Sequence, residues 1–159
     1  MNWFENAVFY HIYPIGYFGC PRQNDFTSEP THKILRVIDD IPHIKELGCN
    51  AVYFGPVFES SAHGYDTADY TKIDRRLGTN EDFKKVCDAL HENGIRVVLD
   101  GVFNHVGRDF WAFRDVRENK LGSAKKDWFH VREGNDGYND GFWYEGWEGH
   151  YELVKLNLY

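Results

Sequence analysis

The chain has 159 residues, 42% of them apolar and 17% aromatic, which suffices for one domain with a real core and argues against a disordered, collagenous or low-complexity protein. Eighteen Lys and Arg against 25 Asp and Glu give a net charge of -7, which argues against nucleic acid or an anionic membrane as partner, because phosphate affinity needs clustered cations. No apolar run approaches the roughly 18–20 residues that span a bilayer, and the start, Met1-Asn2-Trp3-Phe4-Glu5-Asn6, lacks a basic segment leading into an apolar one. Cys20, Cys49 and Cys87 are odd in number and widely spaced, so three reduced thiols in a cytoplasmic protein are expected rather than a disulfide framework or zinc ribbon.

In chain order, Val8-Phe9-Tyr10-His11-Ile12-Tyr13 reads as a buried strand stopped by Pro14 and Gly16. Ile34, Val37, Ile38, Ile41, Ile44 and Leu47 recur at helical spacing before Gly48, and Pro42 is expected to open that helix with Asp39 or Asp40 as its cap. Ala51-Val52-Tyr53-Phe54 is a second strand closed by Gly55-Pro56. Thr79-Asn80-Glu81-Asp82 offers a capping box for a helix with Phe83, Val86, Cys87 and Leu90 on one face and Gly94 at its end. Arg96-Val97-Val98-Leu99-Asp100 does not alternate and is expected to be a third strand buried on both faces. Strands alternating with helices make a parallel α/β sheet. From Phe110 onward, a Trp- and Gly-rich stretch without a sustained period of 3.6 or 2 reads as an irregular subdomain inserted after strand three.

Ligands of parallel α/β folds bind beyond the carboxyl ends of the strands. Two such segments, His63-Gly64-Tyr65-Asp66-Thr67-Ala68-Asp69-Tyr70 and Asp100-Gly101-Val102-Phe103-Asn104-His105-Val106-Gly107, combine aromatics with carboxylates, amides and imidazoles. That mixture suits a sugar, whose C–H face stacks while its hydroxyls take directional hydrogen bonds. Taken singly, each residue has a structural account, since a loop Tyr is often packing and a strand-end Asp often caps a turn.

Taken together they resemble the alpha-amylase family of glycoside hydrolases. The family's first conserved region carries an Asp followed by Asn-His at a strand end, and Asp100-Gly101-Val102-Phe103-Asn104-His105 shows it as Asp-x-x-x-Asn-His. His63-Gly64-Tyr65-Asp66 with Asp69-Tyr70 resembles the segment after strand two. Tyr10-His11-Ile12-Tyr13-Pro14, Leu47-Gly48 before Asn50-Ala51-Val52-Tyr53, and Gly94-Ile95-Arg96-Val97-Val98-Leu99-Asp100 match the first three β/α units. The resemblance is close over residues 8 to 110 and loose beyond. Lys155-Leu156-Asn157 is similar to the end of the inserted subdomain in neopullulanase and cyclomaltodextrinase types.

The resemblance implies the amino-terminal part of a (β/α)8 TIM barrel, strands 1–3 in residues 1–109, with the inserted subdomain in 110–159. It implies that Tyr65 stacks on the sugar next to the scissile bond, that His105 hydrogen-bonds that sugar's primary hydroxyl, and that His63 and Asp66 belong to the substrate-binding set. Asp100 would support the site by pairing with an Arg on strand four, and Asn104 would either ligate calcium or hydrogen-bond its own loop. No other cofactor is implied. Asn135, Asp136, Asn139 and Asp140 do not form an EF-hand, because the third and twelfth positions counted from Asp136 are Tyr138 and Trp147.

Retaining glycosidases need two carboxyls about 5–5.5 Å apart. In this family those residues follow strands four and five, so none is expected in this chain. The expected function is therefore a fragment of a retaining hydrolase of α-glucosidic bonds in maltooligosaccharides. The alternative is a naturally short, non-catalytic α-glucan-binding protein; a barrel enzyme acting on a phosphorylated sugar is disfavoured, since no Gly-rich phosphate loop of the P-loop kind occurs. An open three-stranded remnant exposes sheet edges, so self-association of the isolated chain is also expected.

Overall fold

The computed structural model describes residues 2–159. In chain order its strands are β1 (Phe9–Ile12), β2 (Ala51–Phe54), β3 (Phe58–Ser60), β4 (Thr67–Ile73), β5 (Arg96–Leu99), β6 (His105–Gly107), β7 (Val131–Arg132), β8 (Trp143–Tyr144), β9 (Gly146–Trp147) and β10 (His150–Lys155). The α-helices are α1 (Pro14–Tyr17), α2 (Val37–Glu46), α3 (Asn80–Glu92) and α4 (Trp111–Asn119). The chain divides into two compact units, Met1–Val57 with Thr71–Gly101, and Phe58–Tyr70 with Val102–Tyr159.

The first unit is built on a parallel sheet of order β1-β2-β5, as the alternation of strands and helices predicts. Phe9 pairs with Ala51 and Ile12 with Phe54, while Ala51 pairs with Arg96 and Phe54 with Leu99. Only the central strand is well buried. In β1 burial is confined to Ile12, and Phe9 is 48% exposed; in β5 Val97 and Val98 are half-buried, and Leu99 is 38% exposed. The expectation that both are buried strands is therefore corrected: each is an edge of this sheet, paired on one side only. A continuous apolar run records what a strand could bury, not whether a neighbour is present to cover it.

Helix α3 begins as its capping box dictates. The Asp82 backbone N–H donates to Thr79 Oγ1 at 3.1 Å, and the Thr79 N–H donates back to Asp82 Oδ2 at 3.1 Å. Val86 and Leu90 are fully buried. Helix α2 departs from expectation, because Pro42 lies inside it and does not open it. A preceding 3-10 turn, Lys33–Arg36, feeds directly into the helix, and Ile34, Val37, Ile41 and Ile44 form one buried stripe. Burying that stripe outweighs the interior proline, whose missing N–H and ring clash cost about 3 kcal/mol.

Asp74 and Arg76 form a buried bidentate pair, with Arg76 Nε 2.9 Å from Oδ1 and NH2 2.7 Å from Oδ2. Arg76 also donates to the Pro21 carbonyl at 2.9 Å, which ties the polar segment after α1 to this unit.

The second unit has more regular structure than the missing periodicity suggests. β6, β10 and β9 form an antiparallel sheet in which His105 faces Lys155, Val154 faces Val106 on one side and Gly146 on the other. β3 pairs with β4, and β7 pairs with β8. Its core gathers Val106, Phe110, Ala112, Phe113, Val116, Phe129, Phe142, Tyr144 and Val154. Phe113 is central, with edge-on contacts to Tyr144 at 4.8 Å and Phe129 at 5.1 Å between ring centroids. Helix α4 was not foreseen: it carries only Ala112, Phe113 and Val116 as buried positions and has no side-chain cap, so its local signal is weak. No helix among the described residues is long and apolar enough to cross a membrane.

Candidate functional site

The loop between β3 and β4 is built around one carboxylate. Asp66 is buried, and its Oδ1 accepts the backbone N–H groups of His63 and Gly64, both at 3.1 Å. The Ser61 N–H closes the loop by donating to the Asp66 carbonyl at 3.2 Å. Gly64 has φ +95°, a conformation that a side chain would strain. Tyr65 donates its N–H to His63 Nδ1 at 3.2 Å, so in the neutral ring the proton sits on Nε2. His63 Nδ1 also lies 3.6 Å from Asp66 Oδ1. This framework leaves the Tyr65 side chain 38% exposed, tilted against the His63 ring at a centroid distance of 6.1 Å.

His105 comes from β6 and is only 7% exposed. The Asn104 amide nitrogen, which can only donate, is 3.2 Å from His105 Nδ1, so with this amide orientation Nδ1 accepts and Nε2 carries the proton. Nε2 is buried and has no hydrogen-bond partner among the described residues. Burial is the largest influence on this imidazole and holds its pKa below the ordinary histidine value. The Tyr65 backbone and Asp66 oppose that shift, and His63 adds to it. A buried donor without a partner costs about 1–3 kcal/mol, which a ligand oxygen would relieve.

Gly107 brings the two halves of the site together. A Cβ there would lie 2.3 Å from the Asp66 carbonyl oxygen, so only a hydrogen permits the approach of β6 to the loop. Ser61 Oγ donates to Asp109 Oδ2 at 2.8 Å. The Tyr70 hydroxyl donates to the Val102 carbonyl and lies 3.3 Å from that of His105, pinning the turn that enters β6. Trp147 stacks on the His105 ring, with centroids 5.5 Å apart and planes inclined by 29°.

The second unit thus contains His63, Tyr65, Asp66, Asn104 and His105. Asp100 belongs to the first unit, where its Oδ2 accepts the Tyr53 hydroxyl at 2.7 Å. Asn104 makes hydrogen bonds to its own surroundings. The Asn104 side-chain nitrogen faces His105 Nδ1, its backbone carbonyl accepts the Leu156 N–H at 3.0 Å, and no group of three or more His, Cys, Asp and Glu suited to a metal occurs among the described residues.

Tyr70 and Gly107 lie in the two candidate segments without an assigned role, and Ser61, Asp109 and Trp147 lie outside them. Their partners are distant in sequence, and only the Gly-x-x-Gly spacing of Gly146 and Gly149 hints at the tight turn that carries Trp147. Chemically the site offers an exposed aromatic face beside a buried N–H donor and a rigid acidic loop. That combination suits a neutral, hydroxyl-rich ligand.

The chain is similar to known proteins over most of its length. The family described as Alpha amylase, catalytic domain, matches residues 31–155. A cyclomaltodextrinase from a Bacillus species is 42% identical over 144 residues, covering 82% of this chain and 26% of the relative. Neopullulanase 2 of Thermoactinomyces vulgaris is 39% identical over 147 residues, covering 83% and 25%. Among solved structures, the cyclic alpha-maltosyl-(1→6)-maltose hydrolase of Arthrobacter globiformis in complex with cyclic alpha-maltosyl-(1→6)-maltose superposes with a TM-score of 0.83 at 38% identity, over 99% of this chain and 39% of that one. The chain spans about a quarter of the length of these curated relatives. With the sequence match covering most of its length and the fold match nearly all of it, the chain belongs to the alpha-amylase catalytic-domain family.

Proposed function

We propose that this chain is the amino-terminal part of a retaining α-glucan hydrolase acting on maltooligosaccharides. Residues 1–109 supply the first three β/α units of a (β/α)8 barrel, and 110–159 supply the inserted subdomain. The catalytic carboxylates lie outside residues 1–159. Tyr65 stacks on a glucose ring, His105 donates Nε2–H to a sugar hydroxyl, and His63 and Asp66 hold Tyr65 in place. The observation that carries this reading is the buried, unpartnered Nε2 of His105 in the same unit as the exposed Tyr65 ring.

Asp66 supports the site by accepting backbone N–H groups, and Asp100 spends one oxygen on the Tyr53 hydroxyl within the first unit. Both commitments favour a chain that binds sugar without cleaving it. The three cysteines are free thiols, in keeping with the cytoplasm as its compartment. We further propose that the isolated chain self-associates through the edges presented by Phe9 and Leu99. A single monomeric species by light scattering over a wide concentration range contradicts that.

Calorimetric titration with maltotriose tests the site. Binding without release of glucose is expected, and Tyr65→Ala or His105→Ala should weaken it roughly tenfold, the loss of one good stacking or hydrogen-bonding contact. Unchanged affinity in both variants removes this assignment.

A further inference from the structure

We infer that Trp147 is a positioning residue for His105: its indole fixes the plane of the imidazole so that Nε2–H is presented to a sugar hydroxyl. The inference rests on the reading of His105 as a sugar-binding residue. Asn104 donates to the ring at Nδ1, and the Tyr65 backbone is its other polar neighbour. Both act at the edge of the imidazole and neither covers its face. The flat indole, 5.5 Å away and inclined by only 29°, covers that face and limits tilting of the ring.

Strand β10 sets this contact from both sides. Lys155 pairs with His105 on β6, and its neighbour Val154 pairs with Gly146, the residue before Trp147, on β9. Gly146 lets the backbones touch, since a Cβ there would lie 2.4 Å from the His150 carbonyl oxygen. β9 is therefore held at a fixed depth against β10, and Trp147 with it. The His150 ring continues the stack, 6.2 Å from the indole and also inclined by 29°. Trp147 takes no part in the hydrophobic core of its unit and is 40% exposed, so core packing does not account for a tryptophan at this place.

The test uses the whole chain with labelled histidine nitrogens, its His105 signals assigned by their loss in His105→Gln, and maltotriose as ligand. Wild type should show one His105 tautomer, protonated at Nε2. Trp147→Leu should give a mixture of tautomers and weaken maltotriose binding roughly 3- to 10-fold, the range of one aromatic stacking contact. Trp147→Phe, which keeps a flat ring, should restore the single tautomer and come within about 2-fold of wild-type affinity.

A folded Trp147→Leu with the wild-type tautomer and affinity overturns the inference. If the leucine variant does not fold, the His105 ring-proton shifts in Trp147→Phe decide: a clear displacement from loss of the indole supports the stack, and none overturns it. Unchanged maltotriose affinity in His105→Gln removes the sugar-binding reading instead, and the tautomer in Trp147→Leu then judges the positioning role on its own.

Discussion

Replacing Gly107 by alanine should pry the sugar-binding loop away from β6. The added Cβ would stand 2.3 Å from the Asp66 carbonyl oxygen and 2.8 Å from its carbonyl carbon, where ordinary contact begins at 3.4 Å. The neighbour is backbone, so no rotamer change can relieve the clash, and the loop must retreat by about 1 Å. Its internal bonds, from His63 and Gly64 to Asp66, can move with it as a body. The Ser61 bond to Asp109, at 2.8 Å, cannot lengthen that far and survive.

The overpacking should cost about 1–3 kcal/mol of stability, read as a lower urea midpoint by tryptophan fluorescence, together with weaker maltotriose binding. Gly122→Ala is the matched control, because nothing lies within 4 Å of its Cβ position and its φ is not positive. The control should stay within about 0.5 kcal/mol of wild type. A Gly107→Ala chain with the midpoint and affinity of the control refutes the close approach of loop and strand.

Three further outcomes follow from the same structure. Arg76→Met leaves the Asp74 carboxylate buried without its guanidinium and should lower stability by about 3–5 kcal/mol in guanidinium titrations; a loss under about 1 kcal/mol would show the pair to be solvated. Pro42→Ala restores a backbone donor inside α2 and should raise stability by roughly 1–2 kcal/mol after allowing for the more flexible unfolded chain, whereas a decrease in Tm would mean that the proline ring is needed. Because burial holds the His105 pKa below its ordinary value of 6.5, the unfolded chain binds more protons at this residue as pH falls through about 6.5. His105 therefore lowers stability progressively from there down to its own depressed pKa and has no pH effect above. Comparing urea midpoints at pH 7.5 and 5.5, His105→Gln should lose less stability on acidification than wild type, and an equal loss removes the claim.

Elements whose signals are local were legible before any coordinates. Thr79 and Asp82 lie three residues apart and close a capping box wherever a helix follows, and Ala51-Val52-Tyr53-Phe54 is bounded by its own glycines and proline. Pro42 was misread because its local rule, a helix start, competes with a buried stripe that begins at Ile34, eight residues earlier. The irregular look of the chain after Phe110 has a similar origin, since β9 and β10 are defined by pairing and not by periodicity.

For the site, residue chemistry pointed to the two segments 63–70 and 100–107, because amides, imidazoles and carboxylates beside aromatics are written in order along the chain. Resemblance picked out His63, Tyr65, Asp66, Asn104 and His105 within them and supplied their expected roles. Tertiary structure alone decided that Asp66 spends one oxygen on two backbone donors, that Gly107 admits the Asp66 carbonyl, and that Trp147 lies against His105. The first is a local turn, but the other two are contacts between segments separated by about forty residues, and their geometry is set by strand register. A sequence read along its length states which groups are available, whereas the pairing of β10 with β6 and β9 determines which of them meet.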